Sequence, residues 1–570
     1  MTREHGVARE NPPSRTADTM KLWRSCAQFR LLYPHRPLRP GTVSLERCGM
    51  KRIDCAHRVF VLLGIASVLS MATTAFAQGA GNGSAPPRDP PYIASPALSR
   101  NTASTIPGAA ALTVATDWPT FGMDRQRSGY NAVERVLNAG NVSQLHAHWT
   151  TDIGGPITTQ PTLITGVSIN GKPTDVVYAA TWSGRIVALN AATGAVIWSV
   201  QAPTVQTRCG NFNASQGFVG TIGTPTLDRR TNRIYVVTGY GFLHALDLST
   251  GADVMPWVQL LDAANASPKT IVFGSPTLSG SDIYIATASP CDVRPYHGQI
   301  VRVSTTNGAI LQRWYTTGAT GPDGGGIWGP GGVSISPNGR WVYTATGNAF
   351  PDAQNAPYAE HVVRLTTDLK LDAANAPPLS TTIDVDFGAT PLLFQTAACH
   401  PMLAAMQKTG RLYIYDRNTL ADGPIYSFQI GRSTPAGNFI GLPAFDPVLN
   451  RIYLGNPVDS SSGIVRHGLV ALSVQSDCSV AIAWNLPVGV NSAGQNPSIS
   501  PIVANGVVYY ADGIGSEVFA VDARSGAQLW ATNNLPAADR VTGGIFTSPT
   551  VVNGQLFVAG SDHKIHAYGL

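Results

Sequence analysis

Residues 324–348 read GGGIWGPGGVSISPNGRWVYTATGN, a lone Trp328 set among glycines ahead of a segment that ends in Thr-Gly-Asn. An indole face binds flat rings, and glycines remove side-chain bulk that would keep such a ring off the backbone. The run therefore offers a floor for a planar ligand, with Gly326 beside it, or else a packed loop tryptophan. Other groups capable of chemistry are Asp292 in SPCDVRPYHGQ, Asn348 itself, Asp386 in DVDFGATP and Lys408 in QKTGRLYIYDR. Taken one at a time they also have plain roles: Asn348 in a turn, Asp386 capping a turn with Asp384, Lys408 as a solvated hairpin lysine. His297, in PYHGQI, reads as a structural strand residue.

Several chemistries find no support. GAGNGS at Gly79 has no strand before it and is not a dinucleotide site, and no Gly-x-Ser-x-Gly elbow marks a Ser-His-Asp hydrolase. There is no CxxCH for covalent haem and no Cys-His spacing suited to zinc.

What must position these residues is a repeat. VVYAATWSGRIVALNAATGAVIW ends at Trp198, RIYVVTGYGFLHALDLSTGADVMPW at Trp257 and VVYYADGIGSEVFAVDARSGAQLW at Trp530. Alternating apolar residues around Gly-containing turns make each unit a small antiparallel sheet. A proline, which suits a strand start because it lacks an N–H, opens the innermost strand at Pro161, Pro225, Pro276, Pro391, Pro443, Pro501 and Pro549, and GGVS at Gly331 fills the remaining slot. The count is eight, at a period of about 50 to 60 residues, which predicts an all-β, eight-bladed β-propeller of four-stranded antiparallel blades. The last unit stops at Leu570 one strand short, and LHAHWTTDI around Trp149 is predicted to supply that strand and close the ring.

The phrase AxDxxTGxxxW and the opening DWPTFGMDRQRSGY resemble the pyrroloquinoline quinone (PQQ) propeller superfamily, over about residues 117–570. That superfamily includes quinoprotein alcohol dehydrogenases, polyvinyl-alcohol-dehydrogenase-like proteins and non-catalytic assembly propellers. The resemblance implies PQQ stacked on Trp328 and contacted by Lys408, and Ca2+ held by Asp292, Asn348 and Asp386. It makes Asp386 the catalytic base and implies a small-molecule or polymeric alcohol as substrate. There are departures: Asp292 stands where the family has Glu, Val385 replaces a Trp, and no adjacent Cys-Cys pair exists, Cys209 being single. With no haem, a separate electron acceptor such as a cytochrome c or a quinone is expected. The alternative is a non-catalytic propeller that binds protein or polymer in the cell envelope.

Of the 570 residues 44% are hydrophobic and 13% charged, with 58 Gly and 41 Pro, as suits a turn-rich β protein. The net charge of +5 does not point to nucleic acid: 12 of the 39 Lys/Arg but only 5 of the 34 Asp/Glu lie in residues 1–77, leaving 27 basic against 29 acidic residues. MKRIDCAHRVFVLLGIASVLSMATTAFAQ, from Met50, has the charged start, apolar centre and Ala-Phe-Ala site of a cleaved signal peptide over residues 50–77. Residues 1–49 are then an over-extended start, 78–115 a Gly/Pro/Ser-rich leader and 116–570 the propeller. A periplasmic or secreted protein with no membrane span in the mature chain is expected. Cys209, Cys291, Cys399 and Cys478 allow up to two disulfides by any of three pairings.

Overall fold

The computed structural model describes residues 116–207, 217–263, 265–267, 269–350, 356–378, 385–433, 441–492 and 499–570. The proposed extension, signal peptide and leader, together with Cys209 and Asp384, lie outside them.

Each proline that opens a repeat stands immediately before an innermost strand. Blade 1 runs Thr162–Ile169, Lys172–Ala180, Arg185–Asn190 and Val196–Gln201, paired in that order and antiparallel throughout. The innermost strands of blades 2 to 8 are Thr226–Asp228, Thr277–Ser279, Ser334–Ile335, Leu392–Phe394, Ala444–Asp446, Ile502–Ala504 and Thr550–Val552. Among the described residues these build eight blades of four antiparallel strands, the short strand Tyr130–Asn131 adding a parallel fifth to blade 7, and His146–Asp152 pairs with Lys564–Gly569 as the outer strand of blade 8. The ring is closed between its two ends, as the missing strand predicted. Middle strands such as Val507–Asp512 are buried throughout, whereas the outer His146–Asp152 alternates between exposed and half-buried.

The repeated Tyr and Trp explain how blades hold one another. Tyr178 Oη and Trp198 Nε1, from the second and fourth strands of blade 1, both donate to Leu248 O in blade 2, at 2.9 Å each. Tyr453 Oη and Trp484 Nε1 do the same to Ala523 O across blades 6 and 7, at 2.9 and 3.2 Å. At the closure Trp149 Nε1 reaches Ala191 O at 2.9 Å. The ring lies against the turn glycine: a Cβ on Gly251 would sit 2.7 Å from Trp198. Trp257 departs from the pattern. It follows its turn glycine by six residues instead of four, stays 49% exposed, and rests against His244 with ring centroids 4.3 Å apart. Met255 and Val258 occupy the neighbouring turn at Gly308 in its place.

DWPTFGMDRQRSGY serves to fill the ring. The segment visits the innermost strand of every blade in turn. Trp118 and Leu163 exchange backbone hydrogen bonds at 2.8 and 2.9 Å, and Leu227 N–H donates to Pro119 O at 2.8 Å. Arg127 Nη2 donates to Thr277 Oγ1 at 2.5 Å. Ile335, Leu393, Phe445 and Val503 then donate to the carbonyls of Arg125, Gln126, Ser128 and Gly129 at 2.8–3.3 Å. Asn131 Nδ2 closes the series on Val551 O at 2.8 Å. The inner strand edges, which would otherwise be unpaired, are thereby satisfied. Arg127 is fully buried among Thr120, Phe121, Pro276 and Thr277, and burial pushes its guanidinium down to about 9.

Cys399 and Cys478 are joined, linking blade 5 to blade 6 across 79 residues of sequence. Cys291 is also disulfide-bonded.

Candidate active site

All the singled-out groups lie on loops at one end of the ring, the end from which the innermost strands start. Trp328 precedes the innermost strand of blade 4, and Asn348 follows the second strand of that blade, Trp341–Ala345. Asp386 precedes the innermost strand of blade 5, and Lys408 sits in the hairpin between Met402–Gln407 and Arg411–Asp416. Asp292 lies between Asp282–Ala286 and Gln299–Ser304 of blade 3.

Asp386 is the hub. Its side chain is fully buried, Oδ2 accepts from Lys408 Nζ at 2.5 Å, and Oδ1 accepts from the backbone N–H of Asn348 at 2.5 Å. Lys408 N–H also donates to Asp386 O at 2.9 Å, so the two residues are joined at backbone and side chain. Lys408 Nζ stands 6.0 Å from the centroid of Trp328, whose indole is half-buried and flanked edge-on by Phe273 at 5.6 Å. Trp328, Asn348, Asp386 and Lys408 are thus brought together from four stretches of sequence. Asp292 joins them electrostatically. Its carboxyl is raised to about 6, by burial first and by the Asp386 charge second, against the opposing Tyr296 hydroxyl bond, Lys408 and Arg294.

The glycines do something other than clear space for a ligand. A Cβ on Gly326 would meet Trp328 Nε1 at 2.9 Å and Ala288 Cβ at 3.3 Å, so Gly326 seats the ring instead of facing an open space. Gly324 is crowded by Asn348 O and Gly329 by Thr390, so the run lets this loop sink between blades 3 and 5. The absent side chains make room for protein.

Could these residues hold a planar quinone and a calcium ion? The Asn348 Oδ1 atom is buried with no hydrogen-bond partner, an expensive state for an acceptor unless a cation or donor meets it. Asp292 and Asp386 are the other hard oxygen groups at this end of the ring, and such oxygens are what calcium takes. Among the described residues no cluster of three or more His, Cys, Asp and Glu has metal-binding geometry, so an amide must complete any such set. The partly buried indole within 6.0 Å of an ammonium suits a flat anionic ring. The residues fit both groups.

Three neighbours were not singled out from sequence. Tyr296 donates its hydroxyl to Asp292 Oδ1, Phe273 flanks Trp328, and Arg294 lies over the Phe350 ring at 4.9 Å. Only Tyr296 carried a signal, a phenol four residues from a candidate ligand. His297 is structural: Nδ1 lies 3.1 Å from both Thr317 Oγ1 and Pro322 O, and its N–H donates to Asn265 Oδ1 at 2.7 Å. No helix among the described residues is long and apolar enough to cross a membrane.

Comparison with known proteins agrees with this architecture. Residues 118–279 match the PQQ family model described as the β-propeller domain of glucose, ethanol and alcohol dehydrogenases. A polyvinylalcohol dehydrogenase from a Pseudomonas species is 23% identical over 477 residues, spanning 74% of this chain and 70% of that protein. One from a Sphingopyxis species is 24% identical over 439 residues, 67% of this chain and 60% of its own length. The quinohemoprotein alcohol dehydrogenase of Comamonas testosteroni has the same fold at a TM-score of 0.58 and 16% identity, over 80% of each chain. A europium-containing methanol dehydrogenase gives 0.58 and 15%, over 80% of this chain and 98% of that one. The chain is an eight-bladed propeller whose residues 118–279 match the PQQ model; it is distantly similar in sequence to polyvinylalcohol dehydrogenases and shares its fold with the two alcohol and methanol dehydrogenase structures.

Proposed function

We propose that the protein is a PQQ- and calcium-dependent dehydrogenase of an alcohol, small or polymeric, acting at this end of the ring. The observation that carries the reading is the meeting of Asp386 and Lys408, 2.5 Å apart, with Trp328 and with Asn348, whose backbone N–H donates to Asp386 and whose Oδ1 is unsatisfied. When bound, PQQ would supply a two-electron oxidant and calcium a Lewis acid that polarises it.

The chain's own residues supply the rest. Trp328 provides the face on which a flat ring lies. Asp292, Asn348 and Asp386 offer oxygens to the cation. Lys408 places fixed positive charge where negative charge would develop, at no reorganisation cost. Asp386 takes the hydroxyl proton of the alcohol, a contribution of roughly 10²- to 10⁴-fold for a well-placed base. Its Lys408 partner fixes the orientation of the carboxylate. Reoxidation falls to a separate acceptor, a cytochrome c or a quinone, in the periplasm or outside the cell.

A second reading, a non-catalytic propeller that binds protein or polymer, draws on exposed aromatic rings: Trp257 and Tyr240 of blade 2, 49% and 41% exposed, and Phe218 of the two-stranded hairpin before it, 38% exposed. One experiment separates the two. Purified protein is supplied with PQQ and Ca2+, and dye reduction is followed with a panel of alcohols that includes polyvinyl alcohol. Turnover that needs both additives and is lost in Asp386→Asn supports the dehydrogenase. Absence of bound quinone and of turnover leaves the binding reading.

A further inference from the structure

The loop that carries Asp292 is held in a costly shape. Cys291 and Asp292 both adopt left-handed dihedrals, φ 51° and 52°, on consecutive residues that are neither glycine nor asparagine. Such conformations are unfavourable for a residue with a Cβ, less so for Asp than for Cys, and two in succession persist where the surroundings over-determine them. The surroundings here can be named. The turn Pro290–Asp292 is closed by Val293 N–H donating to Pro290 O at 3.3 Å and by Ser289 Oγ donating to Val293 O at 3.3 Å. Cys291 is pinned by its disulfide. On the other side the hydroxyl of Tyr296, a fully buried residue, donates to Asp292 Oδ1.

A hydrogen bond to one oxygen of a carboxylate fixes its rotation and leaves the other oxygen to be presented. Asp has the shorter of the two acidic side chains, so the course of the backbone at Cys291 and Asp292 sets how far the carboxylate reaches. We propose that Tyr296 is a positioning residue for the cation site: its hydroxyl orients Asp292 toward the ion shared with Asn348 and Asp386, while the Cys291 crosslink anchors the turn. The inference rests on the calcium reading given above.

The test uses the full chain without PQQ, with calcium itself as the probe and calorimetry as the readout. The variants are Tyr296→Phe, Cys291→Ser and Asp292→Asn, with the double Cys399→Ser/Cys478→Ser as a control at the crosslink between blades 5 and 6. Removing an orienting partner of this kind weakens metal binding by about 10- to 100-fold. Tyr296→Phe and Cys291→Ser are each expected to show that loss. In calcium-free buffer the unfolding midpoint of Tyr296→Phe should stay close to the parent's. The control should bind calcium as the parent does. Parent-like affinity in a folded Tyr296→Phe or Cys291→Ser overturns the inference and leaves the calcium reading standing. Calcium binding by the parent that Asp292→Asn does not alter overturns it as well, since the ion then lies elsewhere. If the parent binds no calcium, the calcium reading fails and the inference with it.

Discussion

The inside of the ring and the loops at its end are built on opposite terms. Inside, residues 118–131 make hydrogen bonds to the innermost strand of each blade, and the buried Arg127 has four oxygen partners. At the end, one buried carboxylate holds an ammonium, an amide oxygen has no partner, and two consecutive residues sit at positive φ. Hydrogen bonds to the innermost strands hold the blades together, although Trp118 Nε1 and Arg127 Nε find no partner among the described residues. An orphaned acceptor among charged groups and a costly backbone are what a ligand would repay. Stability and binding should therefore separate cleanly on mutation.

The largest effect should come from the closing strand. Deleting residues 140–155 exposes the edge of Lys564–Gly569 and removes Trp149 from Ala191, so no soluble folded protein is expected on expression and gel filtration; a stable truncated monomer would break the contrast. Asp386→Asn should lose roughly 10²- to 10⁴-fold in dye reduction while keeping the parent's β-sheet circular dichroism. Arg127→Met should do the reverse. It takes a donor from four acceptors inside the ring, of which Pro276 O and Thr120 Oγ1 keep Thr226 Oγ1 as a partner, and urea unfolding should show a loss of about 3 kcal/mol. The double Cys399→Ser/Cys478→Ser is expected to cost about 2–4 kcal/mol in the same assay. The smallest effect belongs to Trp257. Trp198→Ala should cost about 3–5 kcal/mol, but Trp257→Ser, at an exposed rim, about 0.5 or less.

The architecture was legible because each blade repeats the same physical solution. The proline before the innermost strand, the Tyr of the second strand and the Trp of the fourth each recur, so one unit teaches the next. Trp257 shows the limit: two extra residues between glycine and Trp move the ring out of the neighbouring blade, a change that a list of closing tryptophans does not reveal. The glycines around Trp328 were legible as a close approach but not as to what approaches, because crowding by Thr390 or Asn348 O comes from segments tens of residues away. The order Trp328, Asn348, Asp386, Lys408 pointed to a site through resemblance; the Asp386–Lys408 pair and the orphaned Asn348 Oδ1 are facts of three dimensions only. Tyr296 was missed although it stands four residues from Asp292, because that spacing alone does not aim a phenol at a carboxylate; the turn between them does. Cysteine counting left three pairings open, and only the ring's geometry joins Cys399 to Cys478.

The most direct test of the account is a titration of the purified protein with PQQ, with and without Ca2+, followed by the quenching of indole fluorescence. The account expects one equivalent of PQQ bound in a calcium-dependent manner, with binding lost in Asn348→Leu and the quenching lost in Trp328→Phe. No binding, or calcium-independent binding that Asn348→Leu leaves intact, would contradict it.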